Sequence, residues 1–252
     1  MKKIIFLLIM AVAVTACHKN VPPAAYLDAD GNCIFENNVV RYRIAGNSNS
    51  AVIPGMEAIL IATGEEDELI ELDRHCAVEL SMNDGGSAVV FEDSLYFPQE
   101  NFSSFEIVEQ TGAHVIFKLE YPKWQVGEYV VALTRTITLR YNSYFCEVAD
   151  DYSGLAGKPL KVAVGYEKHE VLDSETGKDY MITWERLPEG NGEIGLCIAV
   201  PMTDDFVFDG PNNQAVAYVS TSTARKVQYA AGFCWSRGEV PDFETWAEMV
   251  RL

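Results

Sequence analysis

The sequence predicts an all-β protein: a large antiparallel β-sandwich with a short C-terminal helix. Three observations lead there. Apolar, β-branched and aromatic residues recur in short runs, Gly-, Asn- and Asp-rich turn signals separate the runs, and the clearest helical periodicity sits at the C-terminus. Many strands without alternating helices fit a sandwich and not a βαβ fold. At 252 residues and 48% hydrophobic, the chain can fill one substantial core, which argues against disorder.

The N-terminus reads as an export signal. Met1-Lys2-Lys3 is basic and Ile4 to Val14 is apolar, a run shorter than the about 20 residues a spanning helix needs. Val14-Thr15-Ala16-Cys17 then resembles a bacterial lipobox. Residues 1–16 are thus expected as a lipoprotein signal peptide, with Cys17 acylated (palmitate among its lipids) as a membrane anchor. Residues 17–32 read as a tether. No acidic residue follows Cys17 before Ala25, which favours a periplasm-facing anchor in the bacterial cell envelope over the cell surface. Residues 33–252 read as a single β-sandwich domain.

Strands are expected near Cys33–Ala45, Ala77–Met82, Ser87–Phe91, Ser94–Phe97, Phe102–Thr111 and His114–Tyr121. Others follow near Tyr129–Tyr141, Tyr144–Ala149, Leu160–Tyr166, Tyr180–Glu185, Ile194–Pro201, Ala215–Ser222 and Val227–Trp235. Turns punctuate them at Asn83-Asp84-Gly85-Gly86, Thr111-Gly112, Glu175-Thr176-Gly177, Glu189-Gly190-Asn191-Gly192 and Asp209-Gly210-Pro211-Asn212. Two helices are expected. Asp242 caps one, whose Phe243, Trp246, Ala247 and Val250 share a face. Glu65–Arg74 is the other, with Thr63 and Glu66 spaced as a capping box. Residues 53–62 fit strand or helix equally.

Charge and cysteines narrow the function. With 19 Lys+Arg against 37 Asp+Glu, the net charge of −18 repels phosphate backbones, so no nucleic-acid partner is expected. Cys33, Cys76, Cys146, Cys197 and Cys234 form no CxxC pair, and buried inert thiols are the favoured reading over a disulfide. His75, His114 and His169 lack metal-ligand spacing, and no phosphate loop or nucleophile elbow is present; neither metal nor cofactor is expected.

The candidate site residues come from broken patterns. In Leu133-Thr134-Arg135-Thr136-Ile137-Thr138-Leu139, Arg135 falls on the apolar face, where an unpaired guanidinium is costly. It reads as an anion-recognising Arg at a cleft, against a structural ion pair or a buried threonine face. Arg41 and Arg43 share a face that is either solvated or a carboxylate-binding wall. Asp84 lies in a turn that could face ligand. Lys168 and His169 follow a strand end, and Tyr96, Tyr166, Trp184 and Trp235 lie near strand ends where a sugar face could stack, against plain core packing.

Several stretches together resemble a known family. They are Phe35-Glu36-Asn37-Asn38-Val39-Val40-Arg41-Tyr42-Arg43; Ser94-Leu95-Tyr96-Phe97-Pro98 with Asn101-Phe102-Ser103-Ser104-Phe105-Glu106-Ile107; Leu160-Lys161-Val162-Ala163-Val164-Gly165-Tyr166; and Ala230-Ala231-Gly232-Phe233-Cys234-Trp235-Ser236 with Phe243-Glu244-Thr245-Trp246. Their order is similar to the domain-of-unknown-function family numbered 4861, found in Bacteroidetes and in polysaccharide-utilisation loci. The resemblance implies a galactose-mutarotase-like supersandwich with a carbohydrate site on its concave face, and a role in glycan utilisation. This chain looks like a shortened form, and Ala77–Met82 departs from the family's Gly-rich pattern.

Three functions fit. One is a carbohydrate-active enzyme, a glycoside hydrolase or polysaccharide-lyase-like protein acting on uronate-containing oligosaccharides. Glu36 and Asp84 would then be its acid/base pair, with Arg43 and Arg135 holding a carboxylate. The second is a carbohydrate-binding lipoprotein with the same cleft. The third is a structural or assembly lipoprotein that binds a protein partner.

Overall fold

The computed structural model describes residues 21–46, 52–61, 69–70, 82–154, 160–201, 203–221 and 226–251. The expected signal peptide, Cys17, His75, Cys76 and the strand expected before Met82 lie outside the described residues.

In chain order the first strands are β1 (Ala24–Leu27), β2 (Cys33–Glu36), β3 (Arg41–Ile44), β4 (Glu57–Ile61), β5 (Leu69–Ile70), β6 (Gly86–Phe91) and β7 (Ser94–Tyr96). Then come β8 (Ser104–Gln110), β9 (His114–Val126), β10 (Tyr129–Arg140), β11 (Phe145–Ser153), β12 (Leu160–Glu167) and β13 (Glu170–Thr176). The last are β14 (Tyr180–Arg186), β15 (Glu193–Ala199), β16 (Asp205–Val207), β17 (Gln214–Thr221) and β18 (Lys226–Trp235), before helix α1 (Phe243–Arg251).

They form three antiparallel sheets. A five-stranded meander runs β1-β2-β3-β4-β5, an eight-stranded sheet runs β13-β14-β15-β18-β11-β10-β9-β8, and a second five-stranded sheet runs β16-β17-β12-β6-β7. Both small sheets pack on the same face of the large one. Phe35 meets Phe117 at 5.2 Å and Tyr42 meets Phe233 at 4.9 Å on one side. On the other, Ser87 of β6 reaches Asp150 and Tyr152 of β11. One continuous apolar core results.

Alternation explains which face is buried. Along β10, Leu133, Arg135, Ile137 and Leu139 are buried while Thr134, Thr136 and Thr138 are only half-buried. The threonine face is therefore not the core face, and Arg135 points inward. Across the far face of the large sheet, Ile182, Trp184, Cys197 and Cys234 form a second apolar cluster covered by α1. The helix begins as expected: Thr245 N and Oγ1 donate to Asp242 Oδ1 at 2.9 and 2.7 Å. Trp246 stacks on Phe145 with centroids 5.2 Å apart.

Four expectations need correction. The strand expected over Cys33–Ala45 is a hairpin, because Asn37 Oδ1 accepts from Val39 N and Val40 N and turns the chain back. Within the expected tether, Ala24–Leu27 is the strand that pairs with β2. Leu69–Ile70, within the helix expected at Glu65–Arg74, is extended and pairs with β4, while Thr63, Glu66 and the rest of that segment lie outside the described residues. β9 continues past Tyr121 through Pro122, which falls where the β9–β10 register shifts between Val131 and Leu133. Proline lacks a ladder donor, so a bulge is where a strand admits it.

Candidate functional site

The first polar cluster lies at the centre of the sandwich. Arg135 donates from Nε to Asp150 Oδ1 at 2.8 Å, from Nη2 to Asp150 Oδ2 at 3.0 Å and from Nη1 to the Pro54 carbonyl at 3.1 Å. Ser87 Oγ and Tyr229 Oη also donate to Asp150 Oδ2, and Ser87 Oγ lies 2.6 Å from Tyr152 Oη. Tyr121 presents its ring to the guanidinium at 5.6 Å. Burial works against the charge on Arg135, but Asp150, with Tyr229 and Tyr121, holds its pKa well above the usual value. Every guanidinium nitrogen has an acceptor within the protein. The Arg135–Asp150 pair is thus satisfied within the protein, and through Ser87 it ties the third sheet to the second.

The second cluster gathers at the end of β12. Two asparagines in the left-handed region hold the backbone there, Asn83 at φ 49° and Asn213 at φ 59°. Their carbonyls accept from Glu167 N at 2.7 Å and Lys168 N at 3.0 Å, and Asn213 Nδ2 donates back to the Lys168 carbonyl at 2.8 Å. Asparagine is among the few L-residues that adopt this conformation readily.

Side chains converge on this corner from three strands and a turn. Glu185, fully buried on β14, accepts from His169 N at 2.8 Å and Thr183 Oγ1 at 2.6 Å. The Tyr166 ring enters the core, and burial raises its hydroxyl pKa well above the phenolic value, with Thr183 and Glu185 beside it. Lys168, 6% exposed, places Nζ 4.2 Å from the Phe208 ring centroid and pairs with the exposed Asp209. Asp84 is buried, and its Oδ2 accepts from Ala58 N at 2.7 Å. Tyr166 Oη on the core face, and Glu167 Oε2 and Gln214 Nε2 on the opposite face of the β12–β17 pair, are buried without a hydrogen-bond partner among the described residues, as are Tyr121 Oη and Trp124 Nε1 elsewhere in the sandwich.

Of the residues singled out in the sequence, Asp84, Tyr166 and Lys168 come together here through the Asn83–Glu167 link. The others are engaged elsewhere. Glu36 is held by Arg41 Nε at 2.5 Å and Tyr26 Oη at 3.3 Å, and Arg43 pairs with Glu57 at 2.9 Å, all on the outward face of the first sheet. Tyr96 packs edge-on against Phe91 at 6.1 Å. Trp184 is buried beneath α1, and Trp235, 4% exposed, donates Nε1 to the Asn191 carbonyl at 2.7 Å. Glu167, Glu185 and Gln214 are the corner residues that sequence reading missed. Glu185 shares its strand face with Thr183, and Glu167 and Gln214 sit at strand termini, where a polar residue gives no pattern signal. Among the described residues, no group of three or more His, Cys, Asp or Glu is gathered to hold a metal ion.

Fold and corner define an all-β sandwich domain with a sealed polar cluster at one end of a central strand. Within that class, the chain belongs to the family described as Domain of unknown function (DUF4861), whose model matches residues 77–251. The matched span holds the two sheets that build the corner; the meander of β1–β5 precedes it. No curated protein matches the sequence. Among solved structures, the chain is similar to a protein assigned as a kojibiose phosphorylase from the human microbiome. That likeness has TM-score 0.47 and 7% identity, over 93% of this chain and 32% of the other. It is also similar to the GH36 α-galactosidase AgaB from Geobacillus stearothermophilus, with TM-score 0.46 and 8% identity over 90% of this chain and 43% of that one. The chain therefore spans less than half the length of either.

Proposed function

We propose that the chain is an envelope lipoprotein, anchored through Cys17 and facing the periplasm, whose sandwich binds an oligosaccharide at the β12 corner. The observation behind this reading is the Lys168 ammonium at the rim of the corner, set over the half-buried Phe208 ring and paired with the exposed Asp209. An aromatic ring beside a charged pair offers a stacking face together with groups that donate and accept. A sugar presents both an apolar ring face and hydroxyls to such a rim. Lys168 extends the range to a uronate, whose carboxylate would compete with Asp209 for the ammonium. The net charge of −18 opposes a long polyanion, so a short or mostly neutral glycan fits better.

The test incubates the full chain in detergent with plant and algal oligosaccharides, following melting temperature and product mass together. A melting shift without new masses supports the binding reading. New masses would make the protein a glycoside hydrolase or lyase of the same ligand. No response to any sugar, together with co-purification of an envelope protein, would replace the carbohydrate reading with a protein-binding one.

A further inference from the structure

We propose that the Asp209 carboxylate is a displaceable stand-in for the carboxylate of an acidic sugar, so that the β12 corner is a uronate site which the chain itself closes in the absence of ligand. The inference rests on the oligosaccharide reading above. The ion pair that carries it is lopsided. Lys168 is 6% exposed and Asp209 is 88% exposed, whereas Arg135 and Asp150 are both buried and Arg186 and Glu170 are both exposed. A buried ammonium keeps its charge only with a partner, and the partner here lies almost wholly in water. The position that this carboxylate holds against the ammonium is therefore one that a dissolved carboxylate reaches by the same approach.

The surroundings fix the ammonium and leave the carboxylate at the surface. Lys168 N donates to the Asn213 carbonyl at 3.0 Å, and Asn213 Nδ2 donates back to the Lys168 carbonyl at 2.8 Å. Gly210 N donates to the Gln214 carbonyl at 2.8 Å, which closes the loop between β16 and β17 just after Asp209. Phe208, one position before Asp209, packs against the core and holds the Lys168 Nζ 4.2 Å from its ring centroid. A cation–π contact attracts the ammonium without neutralising it, so the carboxylate is the group that balances its charge. The backbone is thus tied down on both sides of Asp209, and rotation of one exposed side chain is enough to uncover the ammonium.

This exchange decides which sugars gain from Lys168. A neutral sugar brings no charge to replace that of Asp209, so the pair stays closed against it. A uronate brings an equivalent carboxylate, and the contact it makes offsets the one it breaks. The other carboxylates of the corner do not take part: Glu185 accepts from His169 N and Thr183 Oγ1, and Asp84 from Ala58 N. Asp209 therefore sets a threshold that a ligand passes by carrying its own carboxylate. One uronate within a short glycan is enough, in keeping with the net charge of −18.

Calorimetry of the full chain in detergent, with oligogalacturonate and with neutral galacto-oligosaccharide, tests the exchange through D209N, K168M and D205N. D209N removes the competing carboxylate and should raise the ratio of acidic to neutral affinity about fivefold, as for an ion pair open to solvent. K168M keeps an apolar stem beside Phe208 and should abolish the preference for the acidic sugar. D205N, at an exposed position of β16, changes the net charge equally and should leave the ratio at its wild-type value, which separates displacement from general attraction. Melting temperatures give a second readout. D209N leaves the ammonium unpaired, so it should melt below wild type without sugar and gain more from oligogalacturonate than wild type does. A D209N ratio equal to that of wild type or D205N would overturn the proposal. So would a D209N melting loss that oligogalacturonate does not restore, which would mark a purely structural ion pair. If wild type binds the neutral sugar while D209N gains nothing for the acidic one, this inference falls and the oligosaccharide reading stands. If neither protein binds either sugar, both fall.

Discussion

Arg135 and Asp150 face each other as register partners across β10 and β11 and meet in two parallel bonds, Nε to Oδ1 at 2.8 Å and Nη2 to Oδ2 at 3.0 Å. Both side chains are buried, at 1% and 0% exposure. Two charges removed from water lose hydration that their attraction must offset, and here the remaining valences are filled by Ser87, Tyr229 and the Pro54 carbonyl. The pair joins the second and third sheets as one polar pin in an apolar interior.

Removing one partner should be far worse than removing both. Arg135→Met leaves Asp150 buried and uncompensated, and should cost about 3–5 kcal/mol. The double variant R135M/D150L should cost less than R135M, although Tyr229 and Ser87 lose their acceptor. Urea denaturation of wild type, R135M, D150L and the double variant measures this. A double variant as unstable as the sum of its singles would show that the two residues do not act as a pair.

The asparagine that ends the 211–213 turn yields a second prediction. Asn213 combines a φ of 59° with the Nδ2 bond to the Lys168 carbonyl. Asn213→Gly keeps the conformation and loses the bond, for about 1 kcal/mol. Asn213→Ala loses both, for about 2 kcal/mol. If alanine is tolerated better than glycine at this position in equilibrium unfolding, the left-handed backbone is not what Asn213 supplies.

How much of this was legible in the sequence depends on which residues carried a pattern. β10 was readable because Leu133, Ile137 and Leu139 alternate with threonines, and the same alternation exposed Arg135 as an intruder. α1 was readable from Asp242 and the spacing of Trp246 and Ala247. β13 was not: Glu170, Asp173, Ser174 and Glu175 make a polar edge strand whose existence depends on pairing with β14. The corner was half readable. Asn83-Asp84-Gly85-Gly86 announced a turn and Lys168 a strand end, but the juxtaposition of Glu167 with Gln214 is a register between strands 47 positions apart, which no local spacing encodes.

The cysteines give a prediction about reactivity. Cys33, Cys146, Cys197 and Cys234 are free and buried. Burial pushes the Cys146 thiol up to about 12 and raises the other three as well, so the reactive thiolate is scarce at neutral pH. Native protein treated with a maleimide should carry no adduct on these four peptides by mass spectrometry, and full labelling should follow in guanidinium. Native labelling at Cys146 would show that the interface between the first and second sheets opens far more readily than its packing implies.

The docking of α1 should depend on pH through a surface pair. Arg251 donates from Nε to Glu175 Oε1 at 2.9 Å and also reaches Oε2, while Tyr180 donates to the same Oε1. Hydrogen bonds from Arg251 and then Tyr180 lower the Glu175 carboxyl to about 2. At the other end of the helix, the Thr245 N–H lowers the Asp242 carboxyl. Unfolded carboxyls titrate near 4, so the folded state binds these protons less readily than the unfolded state. Their contribution to stability is therefore complete above about pH 5 and is lost as pH falls through about 4 towards 2. Because the Glu175–Arg251 pair is partly solvated, with side chains 28% and 39% exposed, its contribution should be small. Glu175→Gln should thus lower stability slightly at neutral pH and flatten the decline between about pH 5 and 3 relative to wild type. Near-ultraviolet circular dichroism, which reports the Trp246–Phe145 stack, follows this directly. Parallel wild-type and Glu175→Gln curves across that range would mean that the ion pair does not hold the helix, and that its apolar face does.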